Sequence, residues 1–126
     1  MAITGDVILA SDKITFGKKT FALILVRQIE KQNLDDAAKV VDSGQTPSSA
    51  RLYKTLIFRH ASFVNGTTIC GGDEDGRWML AVFSKGQLSL AFFSGEGEPN
   101  LDPKRVEVSH DLCGTYSYVS RTADER

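Results

Sequence analysis

Cysteine is scarce in this chain of 126 residues: Cys70 and Cys113 are the only two. Histidine is as scarce, with His60 and His110 alone. A Cys₂His₂ zinc module shows tight ligand pairs at both ends, and the stretch between His60 and Cys70 breaks that spacing. No metal or cofactor is expected on these grounds. Long apolar runs are also missing. The longest, Phe21 to Val26, is strand-sized, far short of the ~18 residues of a membrane helix. Neither sign of charge dominates: 15 Lys and Arg stand against 16 Asp and Glu, a net charge of −1. That balance argues against a nucleic-acid binder. Dinucleotide, P-loop, nucleophile-elbow and zincin motifs are all absent. The opening Met1-Ala2-Ile3-Thr4-Gly5-Asp6 has no basic start and no apolar h-region. The expectation is either a cytosolic chain or a mature exported form whose leader has been removed.

The apolar fraction is 41% and the charged fraction 25%, ordinary for a globular protein. The length suits one domain over 1–126 with its own core, and the charged tail 121–126 is expected to fray. Val7-Ile8-Leu9 opens a strand, which continues or restarts at Ile14 to Phe16, and Gly17-Lys18-Lys19 turns the chain. Thr20 to Ile29 runs back with apolar residues on both alternating faces, which predicts cover on both sides. Leu34, Ala37, Ala38 and Val41 fall on one helical stripe, so a helix is expected over 34–43. Asn33 would cap it, Asp35 and Asp36 would face its positive end, and Gly44 would stop it. Thr46 to Ala50 reads as a linker, and the stretch from Arg51 reads as a strand. Asn65-Gly66 signals a hairpin with Thr67 to Cys70 as its return.

The centre is "RWMLAVFSKGQLSLAFFSG". A turn at Lys85-Gly86 would set Trp78 opposite Phe93, Leu80 opposite Ala91, Phe83 opposite Leu88 and Ser84 opposite Gln87. Met79, Ala81, Phe83, Leu88, Leu90 and Phe92 then form one face. Trp78, Leu80, Val82, Ala91 and Phe93 form the other, broken only by Ser89. Ser94 to Pro103 is a Gly/Pro loop, and Cys113 to Ser120 a last strand. The fold class that follows is α+β: a mainly antiparallel sheet with one helix packed across it.

Each cysteine lies at a predicted strand edge beside a glycine, where backbones approach closely. A Cys70–Cys113 disulfide fits that placement and would suit an exported protein; unstrained, it would stabilise the fold by about 4 kcal/mol. Two reduced core cysteines are the bland alternative. A cysteine nucleophile beside His110 needs a base within reach, and no family signature surrounds it.

Two acidic loops flank the central hairpin. "GGDEDGR" carries Asp73, Glu74, Asp75 and Arg77, and "SGEGEP" carries Glu96 and Glu98. The pairing of Trp78 with Phe93 brings both loops to one end, opposite the Lys85-Gly86 turn. A solvated loop end explains them without function; a patch for a basic protein or a cation is the functional reading. Asp73-x-Asp75-Gly76 matches the start of a calcium loop, but the later ligands of an EF-hand are missing. Asn65-Gly66-Thr67 is formally a glycosylation sequon, explained equally by its turn.

Thr68-Ile69-Cys70-Gly71, Phe93-Ser94-Gly95 and Leu112-Cys113-Gly114-Thr115-Tyr116 resemble the last half of a group of small exported bacterial proteins with no assigned activity. The resemblance implies a leader in the precursor and an oxidised cysteine pair, and it implies no catalytic residue. The expectation is a non-catalytic periplasmic or secreted binding protein, using the acidic end at 73–75 and 96–98. The alternatives are a small cysteine-dependent hydrolase and a structural or interaction domain of the cytoplasm.

Overall fold

The computed structural model describes residues 7–16, 19–41, 46–57, 75–95, 97–99, 101 and 112–119, with backbone only at Phe16, Lys19, Cys113, Gly114, Ser117, Tyr118 and Val119. The strands are β1 (Val7–Leu9), β2 (Lys13–Phe16), β3 (Lys19–Gln28), β4 (Pro47–Ile57), β5 (Gly76–Ser84), β6 (Gln87–Phe93) and β7 (Leu112–Val119). They form one antiparallel sheet in the order β1 to β7, each strand beside its sequence neighbours. A short 3-10 turn, Lys31–Asn33, leads into the one helix, α1 (Leu34–Val40). The protein is thus mostly antiparallel sheet, curled into a half-barrel, with a single short helix.

The register of β5 and β6 is the one the turn chemistry predicts. Trp78 pairs with Phe93, Leu80 with Ala91, Phe83 with Leu88 and Ser84 with Gln87. Gly86 takes φ 71° in the turn, a conformation other residues adopt only with strain. Both faces of this ribbon are buried, and each feeds a different core. On the inner face Met79, Ala81, Leu90 and Phe92 join Ile14, Leu23, Tyr53 and Ile57. Val7 and Leu9 from β1 and Tyr116 from β7 pack on the same cluster. Residues from both ends of the sheet meet there, so this side is the concave one. On the outer face Leu80, Val82, Ala91, Trp78 and Phe93 join Ala50, Leu52 and Ile29. The helix supplies Ala37 and Val40, and Val41 follows it into the same cluster. Fully burying a side chain of this size contributes about 1.5–3 kcal/mol.

Several local expectations are corrected. The helix ends at Val40, short of 43. Asn33 makes no side-chain capping bond, because the 3-10 turn already carries the chain into the helix. Thr46 to Ala50 is no linker. Strand β4 begins at Pro47, which pairs with Ser84, and Ala50 is fully buried opposite Val82. Pairing with β5 overrides the polar composition of that stretch. The restart near residue 13 is a separate strand, since β1 folds back on β2 with Val7 opposite Phe16. The Asn65-Gly66 hairpin and the tail lie outside the described residues.

The main correction concerns β3. Leu23 is buried, but Ile24, Leu25 and Val26 are 66%, 51% and 39% exposed. A strand is covered on both faces only where a second layer reaches it. The helix has seven residues, about 10 Å of length, and its sheet neighbours are β4 and β5. Among the described residues no second layer covers Ile24 on the outer side of β3, and the irregularity between Leu25 and Arg27 breaks the alternation of faces beyond it.

Two measurements check this distribution. Phe92→Ala is expected to cost about 3–5 kcal/mol in urea unfolding, whereas Ile24→Ala costs under about 1 kcal/mol. Tyr116, edge-on to Phe92 at 5.8 Å between ring centroids, has its phenol pushed above the usual 10.0 by burial. The folded chain therefore holds this proton to higher pH than the unfolded chain. Stability falls as pH rises past that usual value, and Tyr116→Phe is expected to flatten the fall in alkaline urea titrations.

Candidate functional site

The β5–β6 register delivers the start of β5 and the end of β6 to one end of the sheet. Asp75 and Arg77 stand at the first, Ser94 and Gly95 at the second. Asp73, Glu74 and Glu96 lie outside the described residues, as does Cys70. Asp75 and Glu98 are described, and each faces an arginine. The Asp75 carboxylate lies 4.0 Å from the Arg77 guanidinium, within ion-pair range but too long for a hydrogen bond. Glu98 accepts a hydrogen bond from Arg27 Nε at 3.0 Å. Cys113 falls at an irregularity in β7: Phe92 pairs with Gly114 and Phe93 with Leu112. Its backbone is thereby set at the same end of the sheet as the acidic loops.

The loop after β6 does more than carry charge. Trp78 Nε1 donates to the Gly95 carbonyl at 2.9 Å, and Leu101 packs on the outer core beside Leu112. The Arg27–Glu98 pair reaches from this loop to β3. The loop therefore straps back over the outer face, and Trp78 lies beneath it, 6% exposed. Beside the strap, Lys54 sits opposite both Ile24 and Trp78 in the register. Its ammonium lies 5.8 Å from the Trp78 ring centroid, a cation–π contact. Thr55 Oγ1 donates to the Ala22 carbonyl at 2.7 Å, tying β4 to β3. An open depression of about 470 Å³ is lined by Lys54, Thr55, Leu56 and Arg77.

Sequence reasoning set both acidic loops at one end; of their carboxylates only Asp75 and Glu98 are described, and each stands beside its own arginine. It missed Arg27 and Lys54. The Arg27–Glu98 pair is long-range, and nothing in local spacing signals it. Lys54 had a usable signal: a lysine in a strand otherwise rich in apolar residues. No group of three or more His, Cys, Asp or Glu gathers among the described residues. The arginines beside Asp75 and Glu98 would compete with a bound cation for those carboxylates.

No protein family, curated protein or solved structure matches this chain. What the corner does must be read from its own residues: a strap pinned by an indole, two arginine–carboxylate pairs, and an exposed lysine. No nucleophile–base pair stands in the described part of it.

The strap's attachment is measurable. Trp78→Phe keeps most of the ring's packing but leaves the Gly95 carbonyl without its donor, an expected loss of about 1–3 kcal/mol in chemical unfolding. A double-mutant cycle on Arg27→Ala and Glu98→Ala is expected to give under about 1 kcal/mol, because both side chains are roughly two-fifths exposed, at 41% and 43%.

Proposed function

We propose that this protein is a non-catalytic, exported binding protein that uses the acidic loop end of its central hairpin to hold a basic protein partner. The observation that supports the reading is the β5–β6 register. By pairing Trp78 with Phe93 it sets Asp75 and Arg77, at the start of β5, at the end of the sheet where β6 gives way to the loop of Glu98. Arg77 and Arg27 set the spacing of the patch by holding Asp75 and Glu98. A protein rather than a nucleic acid is the partner class, since the chain's net charge of −1 gives polyanions no general attraction. Export is proposed together with a bridge between Cys70 and Cys113, which would clamp the 70–75 segment to β7 beside the patch.

Two experiments test this. Charge reversal at Asp73, Glu74 and Asp75 is expected to abolish capture of a basic partner from an envelope extract; persistent capture would reduce the patch to solvated surface. Thiol titration of the unreduced, denatured protein is expected to find no free thiol. Two alkylatable thiols would overturn the bridged, exported reading and reopen the cysteine hydrolase and the cytoplasmic domain.

A further inference from the structure

We infer that the outer sheet face over β1 to β4 is a second docking surface, opposite in character to the acidic loops. Its occupant is an acidic, apolar segment of a partner protein. A partner carboxylate sits between Lys54 and Arg77, and a neighbouring aliphatic or aromatic side chain lies against Ile24 and Leu56.

The first support is the placement of charge. Among the described residues no carboxylate lies in a strand, yet Lys13, Lys19, Arg27, Arg51, Lys54 and Arg77 do. On the outer face the register sets Lys13 opposite Ala22 and Lys54 opposite Ile24. The second support is unshielded apolar surface on the same face. Ile8, Ile24 and Leu56 are 64%, 66% and 45% exposed. Scattered single residues of this kind need no explanation, but Ile24 and Leu56 stand on neighbouring strands with Lys54 between them. The third is shape. The depression combines the two cations Lys54 and Arg77 with the aliphatic wall of Leu56, and among the described residues no carboxylate lines it. Lys54 is oriented there by the Trp78 ring, so part of its ordering cost is met before binding.

These features select among occupants. A second copy of this face would set lysine against lysine, so self-association through it is disfavoured. An anionic bilayer would answer the lysines, but it offers no projecting group for the depression. An acidic segment answers both, with its carboxylate in the hollow and its apolar side chain beside it. Such a centre, apolar contact next to a paired charge, is where protein interfaces concentrate their energy.

The test is an NMR titration of the whole chain with a synthetic acetylated peptide of alternating glutamate and leucine. Shift changes are expected to centre on Ile24, Lys54, Leu56 and Arg77. Lys54→Glu is expected to weaken binding by at least about tenfold, and Lys54→Gln by less. Ile24→Ser with Leu56→Ser is expected to weaken it without lowering the melting temperature. Reversal at Asp73 and Glu74 is expected to leave it intact, which separates this surface from the acidic end. The inference is overturned if no shifts arise at these residues up to millimolar peptide, or if Lys54→Glu binds as well as the parent. It is also overturned if a lysine–leucine peptide binds equally. Flotation with phosphatidylglycerol vesicles without peptide binding would make the face a lipid surface instead, and self-association through Ile24 would make it a contact between copies.

Discussion

The structure depends on a ribbon that is apolar on both sides. Residues 78–83 and 88–93 offer water almost nothing polar, so each face of the β5–β6 hairpin must be buried against something else. The concave side is filled by curling the sheet until β1, β2 and β7 bring their side chains to Met79, Leu90 and Phe92. The outer side is filled by the helix and by the returning loop, which cover Leu80, Val82 and Phe93. The curl, the helix and the strap are three answers to one burial requirement, and the hairpin's tight turn fixes where each must go.

The same requirement explains which parts of the fold were legible. A two-residue turn with glycine at its positive-φ position dictates register outright, so the pairing from Trp78–Phe93 to Ser84–Gln87 follows from the residues between. Periodicity also located the helix, because Leu34, Ala37 and Val41 share a stripe. What local pattern does not encode is the reach of a second layer. Strand β3 is as apolar as β6 on paper, but β6 lies under the strap and helix while Ile24 and Val26 face outward. Pro47 to Ala50 reads as polar connector until β5 is beside it; the pairing, not the composition, makes it strand. Of the candidate site, the hairpin register that sets Asp75 and Arg77 at one end was readable, whereas Arg27 and Glu98 meet only because a loop crosses the sheet.

Charge is partitioned by structural role. Among the described residues, carboxylates are kept to the helix and the connections between strands, and the charged positions within strands are all cations. Two of those cations have partners within the fold, Arg27 on Glu98 and Arg51 over the Phe83 ring at 5.4 Å, while Arg77, 4.0 Å from Asp75, also lines the depression beside Lys54. Lys54 and Lys13 remain on the outer face among exposed aliphatics.

The spatial order of the strands repeats their order along the chain. No strand has to wait for a distant segment to be synthesised before it finds its neighbour. Each can be laid against the growing edge as it leaves the ribosome, and the loop-closure entropy of each addition is that of one connection only. An all-sheet protein is ordinarily slow to assemble because its pairings are remote in sequence; this arrangement removes most of that delay.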